Sequence, residues 1–217
     1  MTDAHCHVSC GDPDIREFLI GRDFVGVHPW EARDTVPDAS ALRDRVLSNP
    51  HLGVGEIGLD RLREREISQA MREAFETQLR LALEFGRPVV LHGAKCWGQV
   101  VNAIKNVECR LRNSSFLFHG FSRSDGLIPD IVALNGYISV GPAVLNDHAV
   151  NYRELVKKIP LDRLLLETDR TAENASTCPS VRDVAAKVAE LRGMTFADLE
   201  KTADRNAEEF LHPASKA

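Results

Sequence analysis

The chain has 217 residues, of which 43% are hydrophobic, and this is enough to form one folded domain with a substantial core. Its formal net charge of −5 excludes the strongly basic surface of proteins that coat nucleic acid, so a polyanionic substrate would have to be held locally. No apolar run approaches the ~18 residues that span a bilayer, and the N-terminus lacks a secretory pattern. We therefore expect a cytoplasmic monomer with no membrane partner.

Short apolar runs without alternation predict strands that are buried on both faces. These runs cover residues 2–6, 24–27, 52–57, 88–91, 115–119, 136–140 and 163–167. Helical spacing of apolar residues predicts helices between them, at 38–49, 67–86, 97–107, 124–136 and 150–159. Two further helix patterns follow at 180–193 and 195–211, the second with Thr195 as its cap.

Alternating strands and helices predict a parallel sheet with right-handed crossovers, and seven such units indicate an α/β fold of the TIM-type (β/α) barrel class. No eighth strand is evident after Asp169, so we expect the barrel to be irregular or incomplete there. We predict a single domain over residues 1–212 and a disordered tail at 213–217. The five cysteines form no C-x-x-C pair, which indicates free thiols, with Cys6, Cys96 and Cys109 packed in the core.

The opening segment TDAHCHV places His5 and His7 two residues apart. In an extended segment both imidazoles lie on one face, and together they form half of a metal site. An isolated pair of histidines at this spacing is more often exposed on the surface and binds no metal. However, single acidic or imidazole residues recur where later predicted strands end, at Glu56, His92, His119 and Asp169. Because the ends of parallel barrel strands share one mouth, we expect all six side chains to converge.

Four imidazoles and two carboxylates exceed the needs of one tetrahedral ion, and they suit two divalent ions that share a bridging carboxylate and a bridging water. A water shared in this way loses a proton readily and supplies a hydroxide nucleophile at neutral pH. The set contains no thiolate. We therefore expect zinc, manganese or another first-row metal; magnesium is less suited to a site with so many imidazoles.

Seven segments carry a resemblance to a known family. They are TDAHCHV, GVHPWEA, GVGEIGLDR, RPVVLHGAK, FLFHGFS, LLLETD and NAEEFL. In order and content they resemble the TatD family of metal-dependent deoxyribonucleases, within the wider group of amidohydrolase-like barrels. The resemblance implies that His5, His7 and Asp169 bind one ion, that His92 and His119 bind the other, and that Glu56 bridges. It also implies a phosphodiesterase that acts on DNA ends, often single-stranded and in the 3′ to 5′ direction.

The chain departs from the family pattern at several places. Trp30 stands where a second imidazole usually follows His28, and Lys95 is the nearest candidate for a phosphate contact after the fourth predicted strand. Arg170 and Thr171 replace the usual proline and aromatic residue after LLLETD, and much of the first crossover is absent. We interpret His28 and Lys95 as candidate substrate contacts.

Other polar residues allow a functional and a structural interpretation. Glu167 lies two residues before Asp169, so on an extended strand both side chains point to the same face, and Glu167 is expected to form hydrogen bonds near the site. Ser122 and Arg123 could contact a phosphate or only solubilise a loop. Trp30 could stack on a base or cover the barrel rim. The remaining histidines are interpreted as solvated; they are His51, His148 and His212.

Two classes of enzyme fit these residues. In a dinuclear phosphodiesterase, Glu56 bridges the ions and Asp169 orients the attacking water and accepts its proton. The alternative is a metal-dependent hydrolase of a carbonyl substrate, such as an amide, a lactone or an ester, including aminoacyl esters. Many such barrels bridge their metals through a carboxylated lysine, for which Lys95 is the only candidate. Because Glu56 already supplies a bridge, we favour the phosphodiesterase over this alternative and over a barrel that merely stores metal.

Overall fold

The computed structural model describes residues 1–36, 38–63, 65–107 and 114–213, so the predictions for Cys109 and for most of the tail lie outside the described residues. The described residues form eight β-strands, which are β1 (Thr2–Cys6), β2 (Arg16–Leu19), β3 (Phe24–Val25), β4 (Gly53–Asp60), β5 (Val89–Ala94), β6 (Phe116–Phe118), β7 (Gly136–Val140) and β8 (Leu164–Leu166). Every pair of hydrogen-bonded neighbours among them is parallel.

Helices follow most of the strands. In the described ranges they are α1 (Ser40–Ser48), α2 (Gln69–Glu84), α3 (Trp97–Asn106), α4 (Ile128–Ala133), α5 (Val150–Lys158), α6 (Val181–Arg192) and α7 (Phe196–Leu211). Each lies within a predicted helical segment. The Thr195 hydroxyl accepts a hydrogen bond from the backbone N–H of Asp198, which confirms the predicted cap of α7. None of these helices is long and apolar enough to cross a membrane.

The strands form a two-stranded sheet, β1-β2, and a six-stranded sheet in the order β3-β4-β5-β6-β7-β8. Backbone contacts join the two sheets on both sides. Ile20 forms an isolated parallel bridge with Phe24, and the N–H of Asp169 donates to the carbonyl of His5 at 3.0 Å. The strand order therefore closes on itself as an irregular TIM-type barrel.

The strand that sequence patterns missed is β2, near the start of the chain and not after Asp169. Its four residues, REFL, are exposed at one end and buried at the other, so they lack the continuous apolar run that marks the other strands. No helix lies between β1 and β3 within residues 1–36, which confirms that the first crossover is short.

One end of the barrel is filled by apolar side chains. Phe210 of α7 stacks on Phe24 with ring centroids 5.9 Å apart, beside Phe18. Val90 and Leu117, near the starts of β5 and β6, belong to the same buried cluster. Because α7 closes this end, polar side chains collect at the other end, where the strands finish. Cys6 and Cys96 are buried, as predicted.

Candidate metal centre

The six predicted ligands meet around the buried carboxylate of Glu56. Its Oε2 atom lies 3.5 Å from Nε2 of His5 and 3.5 Å from Nε2 of His7. Its Oε1 atom lies 2.5 Å from Nδ1 of His92 and 2.7 Å from Nε2 of His119. Each carboxylate oxygen of Glu56 therefore faces a different pair of imidazoles.

Asp169 completes the first of these two groups. Its Oδ1 atom lies 3.5 Å from Nε2 of His5 and 3.6 Å from Nε2 of His7. The side chain of Asp169 is 50% exposed, whereas that of Glu56 is 3% exposed. Asp169 is therefore the carboxylate of the cluster that an incoming molecule can reach.

Two irregularities in the strand pairing lie at the site. Between β1 and β2 the register passes from Asp3↔Glu17 to Cys6↔Leu19, so His5 lies in a stretch with one extra residue. The β4-β5 register passes from Val54↔Val89 to Ile57↔Leu91, and the extra residue lies at Gly55 and Glu56. Such bulges change the direction of a side chain relative to the regular pleat.

Glu56 does not lie at a strand end, because β4 continues to Asp60 instead of stopping at residue 57 as predicted. Gly58 permits this extension because it has no Cβ atom. A Cβ at this position would overlap the carbonyl oxygen of His92, and β4 and β5 could not approach so closely. The longer strand brings Asp60 to the site, and no pattern in the sequence indicates this residue as a site residue.

Asp60 positions His92 through the far side of its ring. Oδ2 of Asp60 lies 2.8 Å from Nε2 of His92 and accepts a hydrogen bond from Nε1 of Trp30, also at 2.8 Å. Its Oδ1 accepts from the N–H groups of Leu62 and Arg63. With Nε2 donating to Asp60, Nδ1 of His92 faces Glu56, which is the arrangement of a metal-ligating histidine held by a carboxylate.

Two further acidic residues brace the site. Glu167 accepts hydrogen bonds from the Ser139 hydroxyl at 2.6 Å and the Gly120 N–H at 2.7 Å, and its Oε2 lies 3.8 Å from Nδ1 of His119. This agrees with the supporting role predicted for Glu167. Asp3 accepts from both the N–H and the hydroxyl of Thr168, and it thereby ties β1 to the segment after β8.

The electrostatics of the cluster follow from burial and from the central carboxylate. Burial lowers the pKa of His5 to about 4, with the charge of His119 adding to the effect. Burial also opposes a charge on His119, but Glu56 outweighs it and raises the pKa of His119 to about 10. The pKa of Glu56 is well below its usual range because the surrounding imidazoles, His119 first, outweigh the effect of burial.

The residues fit a group of divalent cations. His5 is 0% exposed, and neither of its ring nitrogens has a hydrogen-bond partner among the described residues. A buried imidazole without partners is costly, and a metal ion is a partner that such a nitrogen commonly takes. Among the described residues, four groups of three side chains have ligand atoms within 4.8 Å of one another, and three of these groups lie in this cluster. They are His5, His119 and Asp169; His5, His7 and Glu56; and His28, Glu56 and His92; the fourth group is Asp3, Cys6 and Glu17.

The two predicted substrate contacts, His28 and Lys95, lie in different surroundings. His28 joins the cluster, with Nε2 3.4 Å from Oε1 of Glu56. Lys95 follows β5 at the same end of the barrel, but its side chain is exposed and makes no hydrogen bond or ion pair within the described residues. Trp30 lies at the rim, 43% exposed, with the guanidinium of Arg63 3.3 Å from the centre of its ring.

A groove of about 1160 Å³ opens beside the cluster. Glu167 and Asp169 lie in its wall together with Ser122, Arg123 and His148. No sequence pattern places His148 there, because it is a single exposed histidine in the turn before α5.

Comparison with known proteins identifies the family of this chain. Residues 21–212 match the model of the family described as TatD related DNase. The chain belongs to this family. It is 30% identical to the uncharacterized metal-dependent hydrolase YabD of Bacillus subtilis over 84% of this chain and 74% of that protein. It is 32% identical to the 3′-5′ ssDNA/RNA exonuclease TatD of Cronobacter sakazakii over 89% of this chain and 78% of that protein.

The TatD fold is evident in solved structures as well. The TatD homologue YJJV of Escherichia coli superposes with a TM-score of 0.79 at 22% identity, covering 97% of both chains. A TatD family hydrolase from Entamoeba histolytica superposes with a TM-score of 0.72 at 16% identity, covering 93% of this chain and 76% of that one. These matches confirm the predicted barrel class and the resemblance to TatD hydrolases.

Proposed function

We propose that this chain is a phosphodiesterase that uses two divalent ions, of zinc, manganese or magnesium, to cleave nucleic acid from an end. The observation that supports this proposal most strongly is the position of the Glu56 carboxylate between two pairs of imidazoles. Its Oε2 atom faces His5 and His7, and its Oε1 atom faces His92 and His119. A carboxylate shared between two groups of imidazoles is what a bridged pair of ions requires.

In this proposal His5, His7 and Asp169 hold one ion, and His92 and His119 hold the other. Bound divalent ions would supply positive charge for the phosphoryl oxygens and lower the pKa of water. Asp60 fixes the ring of His92 from behind through its contact with Nε2, and the carboxylate of Glu167 lies 3.8 Å from Nδ1 of His119. The protein thereby holds the ring of His92 in a single orientation before substrate arrives.

Asp169 has the properties of the proton acceptor. Burial favours its protonated form, but the imidazoles of His5 and His119 outweigh this effect and lower the pKa of Asp169 below its ordinary value. The carboxylate is therefore ionised at neutral pH. Because it is half exposed and lies in the wall of the groove, it can accept a proton from an attacking water.

His28 has the properties of a donor to a phosphate oxygen. Its Nδ1 accepts a hydrogen bond from the backbone N–H of Trp30 at 3.2 Å, so in the neutral ring the proton is on Nε2. That nitrogen points toward Glu56. A protonated Nε2 cannot ligate a metal, and its N–H is available to a substrate oxygen. This supports the interpretation of His28 as a substrate contact.

The substrate assignment draws on the relatives. The Cronobacter protein named as a 3′-5′ ssDNA/RNA exonuclease shares 32% of aligned residues with this chain. We propose the same class here, single-stranded DNA or RNA degraded from the 3′ end, bound with its scissile phosphate at Glu56 and Asp169. The groove next to Asp169 offers space for the adjoining nucleotides.

The test is an assay of purified, metal-reconstituted protein with manganese, magnesium and zinc compared. The substrates are end-labelled single-stranded DNA and RNA, bis(p-nitrophenyl) phosphate and an aryl ester. We expect metal-dependent cleavage of the nucleic acids and the phosphodiester, removal of label from the 3′ end first, and close to two equivalents of metal by elemental analysis. Faster hydrolysis of the aryl ester than of any phosphodiester would favour the carbonyl hydrolase instead. Saturation at one equivalent would overturn the dinuclear assignment.

A further inference from the structure

The groove beside the candidate metal centre is large for a small molecule. Its volume of about 1160 Å³ exceeds the ~300–1,000 Å³ typical of small-ligand pockets. One wall contains Thr168 and Asp169, and the others come from the loop after β6, the loop after β7 and the helix α5. A groove of this size suits a short run of a linear polymer.

The charged side chains of the groove are paired, with one exception. Lys158 forms an ion pair with Asp125 at 2.6 Å, and Glu167 is buried and bonded to Ser139 and Gly120. Arg123 is exposed, lines the groove, and makes no hydrogen bond or ion pair within residues 1–36, 38–63, 65–107 and 114–213. Its guanidinium is therefore available to a ligand.

The backbone at this position does not call for an arginine. Arg123 has φ +59°, a left-handed conformation that glycine adopts without strain and that longer side chains adopt uncommonly. The loop is instead held at Gly120, whose N–H donates to Glu167. The local backbone structure therefore does not require an arginine at position 123. The position of Arg123 in the groove indicates a role in binding a ligand.

We propose that Arg123 contacts a backbone phosphate of a single-stranded nucleic acid lying in this groove, and that it makes the enzyme prefer oligonucleotides to small phosphodiesters. This inference rests on the proposed function. Arginine offers a fork of N–H donors that matches phosphate oxygens, and contacts to phosphate position a strand without reading its sequence. On a chain of net charge −5, such a local cation is needed to hold a polyanion.

The experiment uses Arg123→Gly, because glycine suits the backbone at this position and the variant should fold at least as stably as the parent. With a single-stranded oligonucleotide we expect KM to rise about ten-fold, since a charge-assisted hydrogen bond to phosphate is lost. The slope of log KM against log salt concentration should fall by about 0.7, the value for one phosphate contact on a single strand. The rise in KM should be smaller for bis(p-nitrophenyl) phosphate, which does not extend along the groove.

Two controls separate charge from position. Arg123→Lys restores a cation and should recover part of the lost affinity. Arg72→Ala removes the same charge from the exposed face of α2, outside the groove, and should leave KM for the oligonucleotide unchanged. Oligodeoxynucleotide and oligoribonucleotide should respond alike, because the phosphate is common to both.

The outcomes are distinguishable. If the parent cleaves oligonucleotides and Arg123→Gly keeps the parental KM and salt dependence, the inference is wrong and the proposed function stands. An equal rise in KM for the small diester and the oligonucleotide would also overturn it, since the effect would then arise at the metal centre. If the parent cleaves no phosphodiester with any metal, the proposed function fails and the inference fails with it.

Discussion

The Oδ2 atom of Asp60 lies 2.8 Å from Nε2 of His92, and this contact determines which nitrogen of the imidazole faces the metal centre. Asp60 is buried and accepts four hydrogen bonds in all, two of them from backbone N–H groups. The pKa of Asp60 is lowered, because these bonds, the one from His92 first, outweigh the effect of burial. An ionised Asp60 keeps the proton of His92 on Nε2.

Asp60→Asn should weaken metal binding and turnover by roughly 10- to 100-fold, as is typical when a carboxylate behind a ligating histidine is replaced. An amide can turn its NH₂ group toward Nε2 of His92, and the ring would then lose its fixed orientation. Metal affinity and turnover should be measured together. Asp44→Asn, on the exposed face of α1, is the matched control. Parental metal affinity in Asp60→Asn would contradict the positioning role.

Glu56→Ala should lower turnover on phosphodiesters by at least ~100-fold, because both groups of imidazoles would lose their shared carboxylate. The effect on the unfolding temperature should be much smaller than the effect on turnover, because Glu56 contacts the histidines and does not belong to the apolar core. Elemental analysis should find fewer than two equivalents of metal. If turnover stays near the parental value, the bridging assignment is wrong.

Asp169→Asn keeps the size of the side chain and one oxygen, but it removes the charge that accepts a proton. Turnover should fall by about 100- to 10,000-fold, the usual range for loss of a general base. Metal held by His92 and His119 should be largely retained. Turnover and metal content measured on one preparation decide the outcome. Activity within a few-fold of the parent would exclude the catalytic role, and loss of both ions would make Asp169 chiefly structural.

If His28 has the proposed role, His28→Ala should impair catalysis without changing the metal content, because Nδ1 accepts from the N–H of Trp30 and Nε2 would then donate instead of ligating. We expect kcat/KM to fall about 10- to 100-fold, the effect of losing a hydrogen bond to a charged oxygen. His51→Ala removes an exposed imidazole outside the cluster and the groove, and it is the matched control, which should keep the parental kcat/KM. A stoichiometric loss of metal in His28→Ala would instead identify His28 as a ligand.

Asn206 tests the fold separately from the site. Its buried side-chain amide donates to the carbonyls of Leu161 and Leu164, each at 2.8 Å, and so fastens α7 to the start of β8. Asn206→Ala should lower the free energy of unfolding by about 2–4 kcal/mol, because the buried carbonyl of Leu164 and the half-buried carbonyl of Leu161 lose their donor. Asn102→Ala on the exposed face of α3 should stay within about 0.5 kcal/mol in the same chemical denaturation experiment. Equal stability of the two variants would refute this role.

The amino-acid sequence determined the class of fold and predicted most side chains of the candidate site. Buried parallel strands are continuous apolar runs, and seven of the eight strands could be read from them. In such a barrel each reactive side chain near a strand terminus must face the common mouth. For this reason His5, His7, His92, His119 and Asp169 could be grouped before any contact was known.

The tertiary structure decided the features that depend on contacts between distant segments. Strand β2 is held by pairing with β1, because its own four residues carry too little apolar surface to signal a strand. The extension of β4 to Asp60 depends on close approach to β5, and Asp60 also accepts a hydrogen bond from Trp30, which is 30 residues away in the chain. The orientation of Glu56 between two groups of imidazoles likewise results from a bulge. Hydrophobic periodicity records which face of a segment is buried; it carries no information about which oxygen or nitrogen meets which partner, because those distances are set by segments far apart in the chain.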